Sequence, residues 1–491
     1  MVDQGAKASE EVSAASKQTP QFESQCQKPE HTNPNVLCLC EESLKAIANR
    51  IGKFALASYR KKGGNLEARD ISVMKVGAGT FNVAFKVSID RHAIGRGVSS
   101  FVMRVPQRLS YELNDVPVLE NLASLKERLK HVKTPELFSE DSGTGNMIGW
   151  PYLAMEYLPG TSLNRTWRTL NSSQKMSIAK QLGKMYRDLL THATASKSGL
   201  VTYGPERRES ALVQLGSSGW EYASNIDWAP ASDLDWEREC TKTVNRAKYN
   251  QLCISSLLPQ THYGNLKLAL EWRLLQLDCG WDNGHYDRAT YEVCAEILED
   301  LNNLGVFRQI PDYTVLCHMD LFPRNIMADV SGFGTAKVSG IIDWDGAIYG
   351  PAFVACRPPK WLWRDCYLTT KNLCSTCGRS EDPELEDFQT EPHNVEGVLI
   401  QHAFSLELSQ NGSIPLLDRM MFDKAYAMAR LIVDVACNRE IYLGHAHGNR
   451  NEQRRTSHKL KQMWTLIRQN PDFQRTWNSS DDGIVLTVED R

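Results

Sequence analysis

The chain opens with a stretch in which polar residues dominate. Residues 1 to about 35 are rich in Ser, Gln, Glu, Lys and Thr and poor in large apolar side chains. Such a segment cannot bury enough surface to offset its ordering entropy, so a disordered tail is expected over 1–35. Leu44, Ile47, Ala48, Ile51 and Leu56 then recur at helical spacing and predict a helix over 41–60. Strand-like runs follow at 71–76, 83–87 and 101–105, separated by glycine-bearing turns that suggest antiparallel hairpins. A helix is expected around 118–129, ending before Pro135, and a strand over 152–157 that meets the turn Pro159-Gly160. Beyond that turn the apolar period becomes helical. Ile178, Leu182, Met185 and Leu189 share one face over 174–190, and helices are also expected over 285–304 and 418–445. The polar stretch 372–394 reads as a surface loop. Strands gathered first and helices gathered after them predict an α+β chain with a small β-rich lobe and a larger helical lobe, not alternating βαβ units. The expected division is 1–35 tail, 36–158 β-rich lobe, 159–470 helical lobe and 471–491 C-terminal tail.

Composition narrows the function classes. With 491 residues, 42% of them hydrophobic and 23% charged, the chain has material for a large core. A net charge of −3 and the lack of a basic stripe argue against nucleic acid as a partner. No run of 18 apolar residues suggests a membrane span, and the N-terminus has neither the apolar core of a signal peptide nor the Arg-rich, acid-poor character of a transit peptide. A cytoplasmic protein is therefore expected. Thirteen cysteines without regular spacing read as reduced packing residues. Cys38-Leu-Cys40 and the group Cys366, Cys374, Cys377 with His393 contain too few paired ligands to specify a zinc site.

Three motifs carry candidate chemistry. The sharpest is Leu316-Cys-His318-Met-Asp320-Leu-Phe-Pro-Arg-Asn325-Ile326, a short loop after an apolar run. Its His-x-Asp-Leu-x-x-x-Asn spacing is that of a kinase catalytic loop, where Asp accepts a hydroxyl proton and Asn holds a metal. The second is Val338-Ser-Gly-Ile-Ile-Asp343-Trp-Asp345, in which an apolar strand delivers carboxylates at its end. Mg2+ takes oxygen ligands, usually one or two carboxylates plus phosphates, so Asp343 fits as a ligand beside Asn325, with Asp345 assisting. The third is the glycine loop Gly77-Ala-Gly79-Thr-Phe-Asn82 between two strands, whose backbone could approach phosphates. A Walker-type phosphate loop does not occur.

Taken in order, these motifs resemble the aminoglycoside phosphotransferase/choline kinase-like family, particularly its fungal members. Met155-Glu-Tyr-Leu-Pro-Gly160, His318–Ile326 and Ile341-Ile-Asp-Trp-Asp345 carry the resemblance, which covers roughly residues 70–365. It implies a two-lobed kinase-like fold with ATP and Mg2+, and a small hydroxylated molecule as acceptor. Asp320 would be the base, with Asn325 and His318 beside it in the catalytic loop, and Mg2+ would be held by Asn325, Asp343 and Asp345. Gly77, Gly79, Asn82, Arg104, Glu120, Glu156 and Leu158 would serve the nucleotide, Glu156–Leu158 as the hinge to adenine and Glu120 as the partner of the strand cation. That cation is a lysine in the family and Arg104 here; a guanidinium can still bind phosphate and pair with a carboxylate.

Other readings stand beside these. His318 could brace the loop instead of taking part in chemistry, Arg104 could be a plain ion pair, and Glu112 competes with Glu120. Asp227, Asp233, Asp235, Glu237 and Glu239 could attract a cationic substrate or form a solvated loop. Five tryptophans between residues 200 and 310 could wall a cleft or fill a core. The leading function is transfer of the ATP γ-phosphoryl group to a small-molecule hydroxyl. The rivals are a nucleotide-binding pseudokinase module and a protein kinase, the latter weakened because no Ala-Pro-Glu follows Asp343.

Overall fold

The computed structural model describes residues 35–61, 66–79, 81–90, 100–109, 115–195, 199–203, 210–213, 251, 261–278, 286–311, 313–330, 334–345, 347–364, 391–410, 415–436 and 450–478. The expected tail over 1–35 lies almost wholly outside them. So do the acidic group at 227–239, the Cys366, Cys374 and Cys377 group, most of the loop at 372–394, and Trp220, Trp228, Trp236 and Trp281. The chain divides into two compact units, Met1–Glu112 with Asp141–Tyr152, and Leu113–Glu140 with Leu153–Arg491. The sequence reading draws its boundary after residue 158 instead.

In the first unit, α1 (Glu41–Lys61) carries acidic residues in its first turn and basic residues in its last, each opposing the helix dipole. It buries Ile47, Ile51 and Ala55. Gly52 brings it close to Val73 of β1 (Ile71–Ala78). β1, β2 (Asn82–Ile89) and β3 (Ser100–Pro106) form an antiparallel meander. β2 alternates half-buried and buried positions, so Val83, Phe85, Val87 and Ile89 supply its core face.

The second unit holds α2 (Asp115–Ser124), β4 (Leu137–Asp141), β5 (Tyr152–Glu156) and a three-stranded sheet β6–β11–β12. β6 is Thr161–Ser162, β11 Ile326–Asp329 and β12 Lys337–Ile341. α3 (Ser172–His192) is opened by a capping box between Asn171 and Gln174. A second sheet runs β7 (Thr194–Ala195), β10 (Thr314–Cys317), β13 (Ile348–Pro351), β8 (Gly199–Tyr203), β9 (Ser210–Val213). The helices are α4 (His262–Asp278), α5 (Arg288–Asn303), α6 (Val395–Ser409), α7 (Pro415–Phe422), α8 (Lys424–Ala436), α9 (Arg450–Gln469) and α10 (Pro471–Asn478). A continuous apolar core joins α3, α5, α8 and β10. The chain is thus α+β: strands dominate the part before α3 as the pattern predicted, but the short strands β7–β13 lie among the helices that follow, which the pattern did not show.

Three expectations need correction. The helix expected over 118–129 starts at Asp115, placing Pro117 in the first turn where its missing N–H is harmless. It stops at Ser124 because Lys126 N–H turns back to Ala123 O, tightening the end into turns. The helix expected over 418–445 is two helices: Asp423 interrupts them and its Oδ1 accepts from Ala425 N at 2.7 Å. Residues 437–445 lie outside the described residues. The expected C-terminal tail begins instead with α10, whose Phe473 and Trp477 are buried.

Candidate active site

The catalytic-loop motif folds as a turn and a single 3-10 helix between β10 and β11. β10 is buried at all four positions, so the loop leaves a rigid base. His318 is buried, and its two ring nitrogens have opposite tasks. Nε2 faces Ile342 O at 3.1 Å, and Nδ1 faces the Asp320 backbone N–H at 3.3 Å. A carbonyl can only accept and a backbone N–H can only donate, so these partners define a neutral ring protonated at Nε2. Burial pushes its pKa below the ordinary value; the Ile342 carbonyl, Asp320 and Asp343 pull the other way. The ring also lies 4.5 Å from Trp344.

Asn325, 4% exposed, fixes Asp320. Its Nδ2 donates to Asp320 Oδ2 and to Asp320 O, both at 2.9 Å. Its carbonyl accepts from Ile342 N at 2.9 Å, tying the catalytic loop to the end of β12. Spending both amide protons on Asp320 leaves Asn325 Oδ1 as the oxygen suited to a cation. The other oxygen of Asp320, Oδ1, pairs with Arg324 Nη2 at 2.5 Å, and the Arg324 guanidinium stacks on Phe322 at 4.8 Å. Sequence reasoning missed this arginine; it stands inside the motif at the fourth residue after Asp320.

Asp343 follows β12 and has φ 67°, making it the non-glycine residue with positive φ among the described residues. That conformation is uncommon outside glycine, and its cost is tolerated where function needs the backbone there. Trp344 is 1% exposed and its Nε1 donates to Ile341 O at 3.1 Å, which anchors the turn. Asp345 lies in the turn two residues on. Among the described residues no cluster of three His, Cys, Asp or Glu could hold a metal unaided. Two carboxylates with an amide oxygen suit Mg2+, which takes its remaining ligands from phosphates and water.

The first unit assembles Gly77, Gly79, Asn82 and Arg104. A Cβ added at Gly77 would meet nothing within 4 Å, and one at Gly79 would meet only Asn82 O, at 4.0 Å. Neither glycine is demanded by packing or by positive φ. Gly79 N–H is already given to Asn82 O at 2.9 Å, so that amide closes the turn. With the Asn82 amide oriented so that both groups are satisfied, its oxygen accepts from Arg104 Nε at 3.1 Å and Nη2 at 2.6 Å. Arg104 is 9% exposed on β3, opposite Ala84.

In the second unit, Glu156 ends β5 and its N–H donates to Glu136 O at 2.8 Å. Leu158 is buried against Gly340 of β12. Glu120 is exposed on α2. Its competitor Glu112 lies outside the described residues. Of the five tryptophans between 200 and 310, Trp272 is described; it is buried on α4.

Sequence reasoning also missed a cavity of about 150 Å3 in the second unit. His318, Met319, Leu321 and Phe322 of the catalytic loop line it, although Asp320 itself does not. Its charged lining comprises Arg357, Lys360, Arg430 and Asp434. The signal was present in α8: Arg430 and Asp434 are charges four apart in an otherwise apolar run.

The sequence profile of the phosphotransferase enzyme family matches residues 90–354, more than half of the chain. Two subtelomeric hrmA-associated cluster proteins of Aspergillus fumigatus, from strains Af293 and CBS 144.89, are each 24% identical over 332 residues. Those alignments cover 60% of this chain and 61% of each relative. Among solved structures, the choline kinase of Cryptosporidium parvum aligns at 13% identity over 84% of this chain and 96% of its own, with a TM-score of 0.39. ADP-bound aminoglycoside phosphotransferase APH(2'')-Ib aligns at 13% identity over 84% and 97%, with a TM-score of 0.37. The extent of the profile match, which takes in both the Asp320–Asn325 loop and Asp343, shows that the chain belongs to the phosphotransferase enzyme family.

Proposed function

We propose that the protein transfers the γ-phosphoryl group of ATP to a hydroxyl of a small molecule, with Asp320 as the base. The observation that carries this reading is the double tether from Asn325: its side chain holds the Asp320 carboxylate and its carbonyl holds the strand end that presents Asp343. Asp320 would take the hydroxyl proton as the acceptor oxygen bonds to phosphorus and the bond to the ADP oxygen breaks. Catalysis of this kind is chiefly positioning and charge neutralisation. Asn325 Oδ1, Asp343 and Asp345 are the residues that would hold Mg2+, which neutralises charge on the β- and γ-phosphates. His318 is a positioning residue in this account, because both its nitrogens are committed to backbone. In the first unit, Gly77, Gly79, Asn82 and Arg104 would bear on the phosphates. In the second, Glu156 and Leu158 would meet adenine through their backbone, and Glu120 would pair with the phosphate-binding cation. A cytoplasmic setting suits this ATP chemistry and the described cysteines, none of which is in a disulfide. No described helix is long and apolar enough to cross a membrane.

The Arg324–Asp320 pair is what a catalytically silent nucleotide-binding module would show, since it occupies the base. Both partners are substantially solvent-exposed, however, with side-chain exposures of 57% and 35%. Exposed pairs are worth roughly 0–1 kcal/mol, so an incoming substrate can displace the arginine.

The metal assignment is tested with Asp343→Gly. Glycine adopts φ 67° without strain, so the fold is retained while the carboxylate is lost. Calorimetric titration with ATP should show affinity that rises with Mg2+ in the wild type and no longer does so in the variant. Equal Mg2+ dependence in both proteins would refute the assignment.

A further inference from the structure

We propose that Arg324 is a catalytic residue of the transfer, passing from Asp320 to the phosphoryl group as the acceptor proton reaches Asp320; the inference rests on the phosphotransferase reading above. Arg324 stands in the middle of the 3-10 turn Pro323–Asn325, between two buried neighbours. Ser162 Oγ donates to its backbone carbonyl at 3.0 Å, which fixes its main chain beside the base. The side chain is held differently. It is 57% exposed, and its guanidinium stacks on Phe322 at 4.8 Å. Among the described residues its hydrogen-bond partner is Asp320 Oδ1 alone, at 2.5 Å. A guanidinium has five N–H donors, so this contact leaves most of them to solvent or to a substrate.

Asp320 presents two oxygens. Buried Asn325 donates to Oδ2 at 2.9 Å, so that oxygen is committed. An acceptor hydroxyl therefore reaches Oδ1, by displacing an exposed contact worth roughly 0–1 kcal/mol. The hydroxyl oxygen then lies one hydrogen bond from Oδ1, and phosphorus one covalent bond further. Arg324 Nη2 starts within hydrogen-bonding distance of the same Oδ1. An exposed side chain so placed can turn from one anion to the next without unpacking the core. Charge drives that exchange. As the O–P bond forms and the bond to the ADP oxygen breaks, the hydroxyl proton passes to Oδ1. The carboxylate that attracted Arg324 becomes a neutral acid, while negative charge spreads over the three phosphoryl oxygens. A guanidinium binds such oxygens bidentately. The interaction is thus stronger in the transition state than before it, which is the condition for raising the turnover number. Phe322 keeps the planar cation beside the site during the exchange.

Wild type, Arg324→Met and Arg324→Lys are compared in transfer of label from γ-labelled ATP to water and to hydroxylated small molecules. Binding of ADP is measured alongside by calorimetry, with and without aluminium fluoride, a mimic of the phosphoryl group in transfer. Arg324→Met should lower the turnover number by ~10²–10³-fold, the usual cost of removing one transition-state donor. Its KM for ATP should change little, because the ground-state partner of Arg324 is Asp320 and not the nucleotide. Arg324→Lys should recover part of the loss by keeping the charge. Aluminium fluoride should tighten ADP binding ~10-fold or more in the wild type and no longer do so in Arg324→Met. Turnover equal to or faster than the wild type in Arg324→Met, or undiminished tightening by aluminium fluoride, would overturn the proposal and leave the role of Asp320 standing. A deficit in Arg324→Met that closes as the pH is raised would overturn it too, since the arginine would then serve only to keep Asp320 ionised. If the wild type transfers label neither to water nor to any hydroxyl compound, and aluminium fluoride leaves its ADP affinity unchanged, the phosphotransferase reading itself falls and takes the proposal with it.

Discussion

Asp320 is oriented by groups of different strength. Asn325 is buried and contributes two hydrogen bonds, while Arg324 is exposed and contributes an ion pair. The first interaction sets the geometry; the second is replaceable. That Asp320 and Asn325 work as a pair was legible in the sequence, because their spacing sets both on one short loop, and the structure joins them by hydrogen bonds. The Arg324 contact was not, because a motif records spacing and not which way a flanking side chain turns. His318 was legible only as a choice between brace and participant, and its two backbone partners favour the brace. Its lowered pKa makes a prediction. A group whose folded pKa is depressed contributes stability that is present above its ordinary value and is lost as pH falls through the folded value. For an imidazole the loss begins near pH ~6.5 and cannot exceed about 1.4 kcal/mol per pH unit. Denaturant unfolding of the wild type should therefore weaken more steeply between pH 7.5 and 5 than that of His318→Gln. Parallel pH profiles for the two proteins would contradict the buried neutral ring.

At the scale of elements, the turn Pro159-Gly160 shows how a local signal acquires a tertiary reason. Gly160 has φ 98°, and a Cβ there would run into the carbonyl of Ala328 on β11. β6 pairs with β11 directly after this glycine, through Thr161 and Ser162. Ser162 Oγ then donates toward the carbonyls of Pro323 and Arg324, at 3.1 and 3.0 Å, supporting the catalytic loop from beneath. Gly160→Ala should cost more than about 2 kcal/mol, combining backbone strain with the overlap. Equilibrium urea unfolding measures this, and a midpoint within error of the wild type would show that the two strands part easily. The sequence showed the turn but not the strand it meets, since pairing between residues some 165 apart leaves no local trace. The break between α7 and α8 was likewise hidden. Apolar periodicity runs through both, and only the capping geometry of Asp423 separates them.

For the molecule as a whole, the strand-rich beginning and the long helices after it were legible because the apolar period changes from two to 3.6 along the chain, whereas β7–β13, two to five residues long, were too short to show a period. The C-terminal end was harder to read, since α10 is short and polar on most of its faces. Its two aromatic residues nevertheless complete the core of the second unit. Trp477 is 2% exposed, Arg419 stacks on it at 4.1 Å, and its Nε1 donates to Asp423 at 3.2 Å. Trp477→Ala should destabilise by about 3–5 kcal/mol, as for other buried aromatic truncations. A thermal midpoint unchanged by this substitution would mean that α10 adds little to the unit.

The central claim is that Asp320 is the base of a phosphoryl transfer, and one measurement reaches it most directly. The wild type and Asp320→Asn are incubated with γ-labelled ATP, Mg2+ and a panel of hydroxylated small molecules, and label transferred to the acceptors is quantified. The variant keeps an oxygen for the Asn325 hydrogen bond, so ATP affinity, measured alongside, should hold. Transfer by the wild type to at least one acceptor is predicted, with the variant slower by ~10²–10⁴-fold, the usual size of general-base catalysis. Equal transfer rates in the two proteins would contradict the account, and so would transfer to protein substrates with none to any small hydroxyl compound.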